Sequence, residues 1–90
     1  MRRDFRKYQI LNFIARVGEA TSKEIFEAIL SPPKNHSTLT NHLLHYWKRG
    51  LLKRKTIKGE IFYSLTEKGL ERLRYFKYVK FKNVPAKNFS

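Results

Sequence analysis

Two sets of side chains between residues 37 and 58 of this chain suit one kind of chemistry. Ser37, Thr38, Asn41, His42, His45 and Lys48 carry groups that donate to or accept from the edges of nucleic-acid bases, and an Asn can pair with adenine through two hydrogen bonds. Lys53, Arg54, Lys55 and Lys58 follow closely and suit phosphate oxygens. The whole composition leans the same way: 20 Lys and Arg against seven Asp and Glu give a formal charge of +13. Such an excess repels itself in a compact chain unless a polyanion offsets it, and nucleic acid is the commonest polyanion in a cell. A basic tail does not account for it. No acid lies between Glu27 and Glu60, whereas Lys34, Lys48, Arg49, Lys53, Arg54, Lys55 and Lys58 do.

Other chemistries find little support in the residues. His36, His42 and His45 invite a metal reading, since 42 and 45 stand about one helical turn apart, but no cysteine or nearby acid completes a shell. The seven carboxylates are scattered, and there is neither a glycine-rich phosphate loop nor a thiol. No catalytic residue, metal, cofactor or small-molecule ligand is expected. The bland alternatives are a solvated polar helix face for residues 37–48 and, for the hairpin lysines, a charged strand edge that guards against pairing.

The elements that position these residues follow from spacing and caps. Residues 4–17 place Ile10, Phe13, Ile14 and Val17 at helical spacing, with Asp4 as N-cap and Gly18 past the end. Thr21 and Glu24 form a capping box for a second helix over 22–30, burying Ile25, Ile29 and Leu30. Residues 31–35 hold Pro32 and Pro33 and cannot continue a helix. A third helix begins near Ser37, capped by its hydroxyl or by the Asn35 amide, and ends at Gly50. Its inner face is Leu39, Leu43, Tyr46 and Trp47. Residues 51–57 and 61–65 read as strands joined by Lys58-Gly59, a hairpin whose turn type the pair leaves open. Thr66 caps a last helix running to about residue 82.

Helix, capped helix, turn, helix, hairpin, helix is the order of a winged helix. Residues 37–52, STLTNHLLHYWKRGLL, resemble the recognition-helix signature of ArsR-like winged-helix repressors. Residues 63–73, YSLTEKGLERL, resemble the strand-to-helix junction of small PadR- and MarR-like regulators, and ATSKEI at 20–25 stands in register with both. The resemblance implies an α+β, mostly α, winged helix-turn-helix: a three-helix core, a two-stranded wing at 52–65 and a C-terminal helix. It also implies a transcriptional regulator, a repressor, that binds double-stranded DNA sequence-specifically, with the third helix in the major groove and the wing against phosphates or in the minor groove, where Arg54 gains from the negative potential. Two departures stand out. The Pro32-Pro33 turn is longer than usual in these families, and the absence of cysteine leaves the thiolate metal-sensing site of some ArsR-like proteins without a counterpart.

Ninety residues make one domain, expected over 1–82 with a flexible tail at 83–90. No apolar run approaches the ~18 residues of a membrane span, and the charged start lacks a signal peptide's apolar stretch, so a cytoplasmic, membrane-free protein is expected. The aromatics suggest self-association. Phe5 and Tyr8 fall opposite the helix-one stripe, and Tyr75, Phe76, Tyr78, Val79 and Phe81 spread around the axis of the last helix. A two-fold homodimer through Phe5, Tyr8, Tyr75, Phe76 and Val79 would bury both sets. Scattered surface tyrosines or a membrane-lying helix are the other accounts. Two further functions fit the same charge: an architectural or nucleoid protein without sequence preference, and a winged-helix module for RNA or protein.

Overall fold

Residues 2–29 and 33–80 are described by the structure, a computed structural model. Their elements run α1 (Arg2–Val17), β1 (Glu19–Thr21), α2 (Ser22–Ala28), α3 (His36–Lys48), β2 (Leu52–Ile57), β3 (Glu60–Leu65) and α4 (Glu67–Tyr75), with a π-helical turn at Phe76–Lys80. The readings of Leu30, Pro32, Phe81 and the 83–90 tail lie outside the described residues.

Each helix after the first starts where a side chain replaces a missing backbone partner. Thr21 and Glu24 complete the capping box on α2: the Glu24 amide donates to the Thr21 hydroxyl at 3.2 Å and the Thr21 amide to Glu24 Oε1 at 2.9 Å. Asn35 caps α3, and Thr66 caps α4 by accepting from the Gly69 amide at 3.0 Å. The hairpin turn resolves as well. Lys58 and Gly59 both have positive φ, 51° and 83°, which is the two-residue type I′ geometry that matches the twist of the flanking strands. Glycine adopts that conformation without a steric penalty, which Lys58 cannot.

The sheet has three strands, order β1-β3-β2, antiparallel throughout. β1 was not expected; it pairs Ala20 with Tyr63 and makes β3 the central strand. The core gathers between this sheet and the helices, with Ile10, Leu11, Ile14, Ile25, Leu39, Leu43, Leu52 and Tyr63 fully buried.

Three expectations about faces are corrected. First, α1 begins at Arg2, before Asp4, and its buried stripe is Ile10, Leu11 and Ile14; Phe13 is half-buried and Val17 is 50% exposed. Second, Tyr8 does not point away from the core. α1 packs against α2, β1, β3 and α4, so more than one stripe of it is covered. Tyr8 is buried and meets Phe76 edge-to-face, ring centroids 6.2 Å apart, while Phe5 is half-buried against the same cluster. Burial pushes the Tyr8 phenol above its ordinary pKa, and Tyr78 adds to the effect. Third, Phe76 is buried: with Gly69 and Leu73 it stands at i, i+4, i+7 on the inner face of the last helix, just where the π-helical turn begins. Tyr8 and Phe76 are therefore core residues of one chain and not parts of a free face. Tyr75, Tyr78 and Val79 are exposed.

The start of α4 fixes the hairpin to the rest. The Thr66 amide donates to the Leu51 carbonyl at 3.1 Å, and the Thr66 hydroxyl donates to the Gly50 carbonyl. Gly69 lets α4 lie directly on that strand entry: a Cβ at this position would overlap the Leu51 carbonyl oxygen and lie 3.3 Å from Leu65 Cδ2.

Candidate nucleic-acid interface

α3 is anchored at its first turn by one oxygen. Asn35 Oδ1 accepts from the Thr38 amide at 3.0 Å, the Thr38 hydroxyl at 2.9 Å and the Ser37 hydroxyl at 2.8 Å. The Asn35 amide is thus the cap, and the protons of Ser37 and Thr38 are engaged in it, leaving their oxygens as acceptors. His36 ties the same turn to α2, its Nε2 2.9 Å from Ser22 Oγ and its ring edge-on to Phe26 at 5.8 Å. That contact gives His36 a positioning use, and among the described residues no group of three His, Cys, Asp or Glu could hold a metal ion.

Burial of Leu39, Leu43 and Tyr46 then sets the rotation of the helix. Ser37, Asn41, His45 and Lys48 are exposed, and Thr38, His42 and Leu44 are half-buried. His42 stacks on Tyr46, rings 15° from parallel at 6.3 Å, while His45 meets Tyr46 obliquely at 6.5 Å. Exposed donors and acceptors on one side of a helix whose other side is core can reach a groove wall without disturbing the fold.

The wing cations do not form one surface. Strand side chains alternate, and Arg54 pairs across the ladder with buried Tyr63 whereas Lys53 and Lys55 pair with Ser64 and Phe62. Lys55 meets Glu19 of β1 at 3.1 Å, a pair exposed enough to contribute little to stability. Arg54 takes the opposite face and lays its guanidinium 4.0 Å from the centroid of the Trp47 ring. Trp47 is thereby corrected from core to the rim: it is 38% exposed and supports Arg54, linking the end of α3 to the wing. Lys58 sits in the turn, beside the exposed Ile57 and one pair away from exposed Ile61. Period-two alternation within Lys53-Arg54-Lys55 carried the signal for this split; nothing in the local sequence marked Trp47 as its support.

Carboxylates are gathered elsewhere. Glu19, Glu24 and Glu27 border a cleft of about 330 Å³ with Phe13, Val17 and Ala28, and two of the three are already engaged, Glu19 by Lys55 and Glu24 by the cap of α2.

No protein-family model matches the chain, and no curated protein matches it in sequence. Solved structures do match in shape. The complex structure of hsRosR-S1 gives a TM-score of 0.73 at 18% identity, over 89% of this chain and 74% of that one. A homodimeric winged helix-turn-helix DNA-binding domain from Mycobacterium bovis, a possible ArsR-family transcriptional regulator, gives 0.68 at 21%, over 89% and 71%. The antimony-specific transcriptional repressor AntR gives 0.64 at 16%, over 83% and 65%. With its capped helices, three-stranded sheet and hairpin superposing on these regulators over most of its length, the chain has the winged helix-turn-helix fold.

Proposed function

We propose that this protein is a homodimeric, sequence-specific regulator of transcription that binds double-stranded DNA and represses by occupying its site. The observation that carries the reading is the exposed face of α3: Asn41, His45 and Lys48 stand clear of a buried Leu39-Leu43-Tyr46 face, beside an exposed basic hairpin. In this reading Asn41 and His45 contact base edges, Ser37 and Thr38 accept at the first turn, and His42 and Lys48 flank them. Lys53 and Lys58 meet phosphates, as do Lys55 and Arg54 where their partners allow. No cofactor, small molecule or catalytic step is invoked.

Association in pairs is supported by the homodimeric state of the structurally similar Mycobacterium bovis domain and by exposed Tyr75 and Val79 at the C-terminal end of the described chain, with Phe5 half-buried nearby in the core cluster. α4 with its π-helical turn to Lys80 is then the dimerisation element of a single domain. Among the described residues no helix is long and apolar enough to cross a membrane, and a DNA partner agrees with the expected cytoplasmic location.

Selection from a random duplex library, followed by sequencing of the bound fraction, tests the reading. A gapped palindrome with half-sites about one helical turn apart, ~34 Å, is expected of two α3 helices related by a two-fold axis. Recovery of sequences without preference would refute base readout and favour the architectural function.

A further inference from the structure

A second concentration of charge lies where α1, the end of α3 and the start of α4 meet. A cleft of about 420 Å³ opens there, lined by Lys7, Lys48, Arg49, Leu51, Lys68 and Arg72. Five of these six residues are cations and none is an acid. Part of the arrangement has a local cause: the last carbonyls of α3 carry about half a negative charge, and Lys68 Nζ donates to the Arg49 carbonyl at 3.1 Å. Lys7 Nζ stands 5.4 Å from the Tyr46 ring centre, and the Arg72 guanidinium 5.9 Å from that of Tyr75. None of these contacts is with a carboxylate, and no acid lines the cleft.

The walls are also fixed in advance. Arg49 leads into the Gly50-Leu51 entry, and Lys68 and Arg72 ride on a helix held to that entry by both Thr66 hydrogen bonds and by the close approach at Gly69. A fixed backbone frame holds the cations around one cleft, although their largely exposed side chains still have to be ordered on meeting an anion. Arginine forks match paired phosphoryl oxygens, and lysines supply point charge around them. The number of cations and the size of the cleft exceed what a single small anion uses.

We propose that this cleft binds a multiply charged phosphate group, carried by a DNA backbone or by a free oligophosphate. The free-anion arm is independent of the DNA-binding function proposed above; the backbone arm rests on it. Lys48 borders both surfaces, so a ligand in the cleft adjoins the reading face of α3.

Calorimetric titration of the whole chain with sodium tripolyphosphate at fixed ionic strength tests the site without DNA. One tripolyphosphate per chain is expected. Arg49→Gln with Arg72→Gln should weaken it at least about tenfold, the scale of charge-assisted hydrogen bonds lost, whereas Lys23→Gln with Lys77→Gln removes equal charge elsewhere and should leave it unchanged. The same variants measured on duplex separate the sources. Unaltered duplex affinity in R49Q/R72Q assigns the cleft to a free oligophosphate; a lower salt slope, with tripolyphosphate competing against duplex, assigns it to the backbone. Equal losses in the two double variants, or binding without saturation, overturn the proposal. Should R49Q/R72Q not fold, amide shifts of the unmutated chain decide: perturbation centred on Lys7 and on residues 48–51 and 67–72 supports the site, and perturbation centred on the hairpin refutes it.

Discussion

Gly69→Ala should destabilise this protein, against the usual direction of that change. In an exposed helix interior, replacing Gly by Ala gains ~0.5–1 kcal/mol, because glycine loses more backbone freedom on folding. Here the added carbon would occupy the place of the Leu51 carbonyl oxygen and lie 3.2 Å from the Leu51 carbonyl carbon, and backbone cannot swing aside as a side chain can. α4 must instead withdraw from the strand entry. A withdrawal of ~1 Å takes the Thr66 amide, now 3.1 Å from the Leu51 carbonyl, out of hydrogen-bond range, and loosens the Thr66 contact to Gly50. Two hydrogen bonds at ~0.5–1.5 kcal/mol each, and strain of ~1–3 kcal/mol where Leu65 is crowded, outweigh the propensity gain. The net expectation is a loss of roughly 1–5 kcal/mol. Urea unfolding followed by far-ultraviolet circular dichroism measures it, with Glu71→Ala on the exposed side of α4 as a control expected within ~0.5 kcal/mol. A midpoint for Gly69→Ala equal to or above that of the unmutated chain would refute the close approach.

The other expectations concern the surfaces. Asn41→Ala and His45→Ala should weaken binding to a selected duplex by ~1–3 kcal/mol more than to random duplex, and equal losses on both would remove these residues from base readout. Arg54→Ala and Trp47→Ala should be coupled by ~0.5–1 kcal/mol in a double-mutant stability cycle, additivity being the contrary result. Phe76→Ser should cost ~3–5 kcal/mol as a core truncation, whereas Tyr75→Ser with Val79→Ser should leave the fold intact and turn a dimer into a monomer in sedimentation; a monomeric unmutated chain sinks the dimer. The Tyr8 phenol holds its proton more tightly folded than unfolded, so its contribution is complete below its ordinary pKa of 10.0 and is lost as pH rises above that. Stability measured on the alkaline side should fall less steeply in Tyr8→Phe, and parallel curves would contradict the assignment.

Caps carried most of the legible architecture. Thr21 with Glu24, Asn35 and Thr66 each mark a helix start by a side-chain oxygen at a fixed offset from an amide, and such local signals survive in the sequence. β1 escaped because three residues are too few for alternation to register, and its partner lies more than forty residues away. The outward placing of Tyr8 failed for a related reason: face counting assumes one covered stripe per helix, while α1 is packed by elements from both ends of the chain. Counting the aromatics as one spread set misplaces Phe76, although it continues the buried Gly69-Leu73 stripe at i+7 and the period changes only beyond it. At the interface, the polar face of α3 was legible from residue types, whereas the stack of Arg54 on Trp47 and the basic cleft depend on how α3, the hairpin and α4 meet.

The pairing of β1 with β3 bears on the order in which the protein can form as it is synthesised. Glu19, Ala20 and Thr21 find their partners at Ser64, Tyr63 and Phe62, near the far end of the described chain. The hairpin closes between neighbours, with Ile57 opposite Glu60, but the strand that joins it to α1 and α2 must wait until Ser64 has been made. An emerging chain therefore presents α1, α2 and α3 with Ala20 still unpaired by Tyr63 and Tyr8 still without Phe76. Closing so long a loop is a late, entropically costly step, and it makes the three-helix half dependent on the half that follows. A nascent chain halted before β3 should stay protease-sensitive throughout, and resistance should appear in all three helices together once the sheet can close.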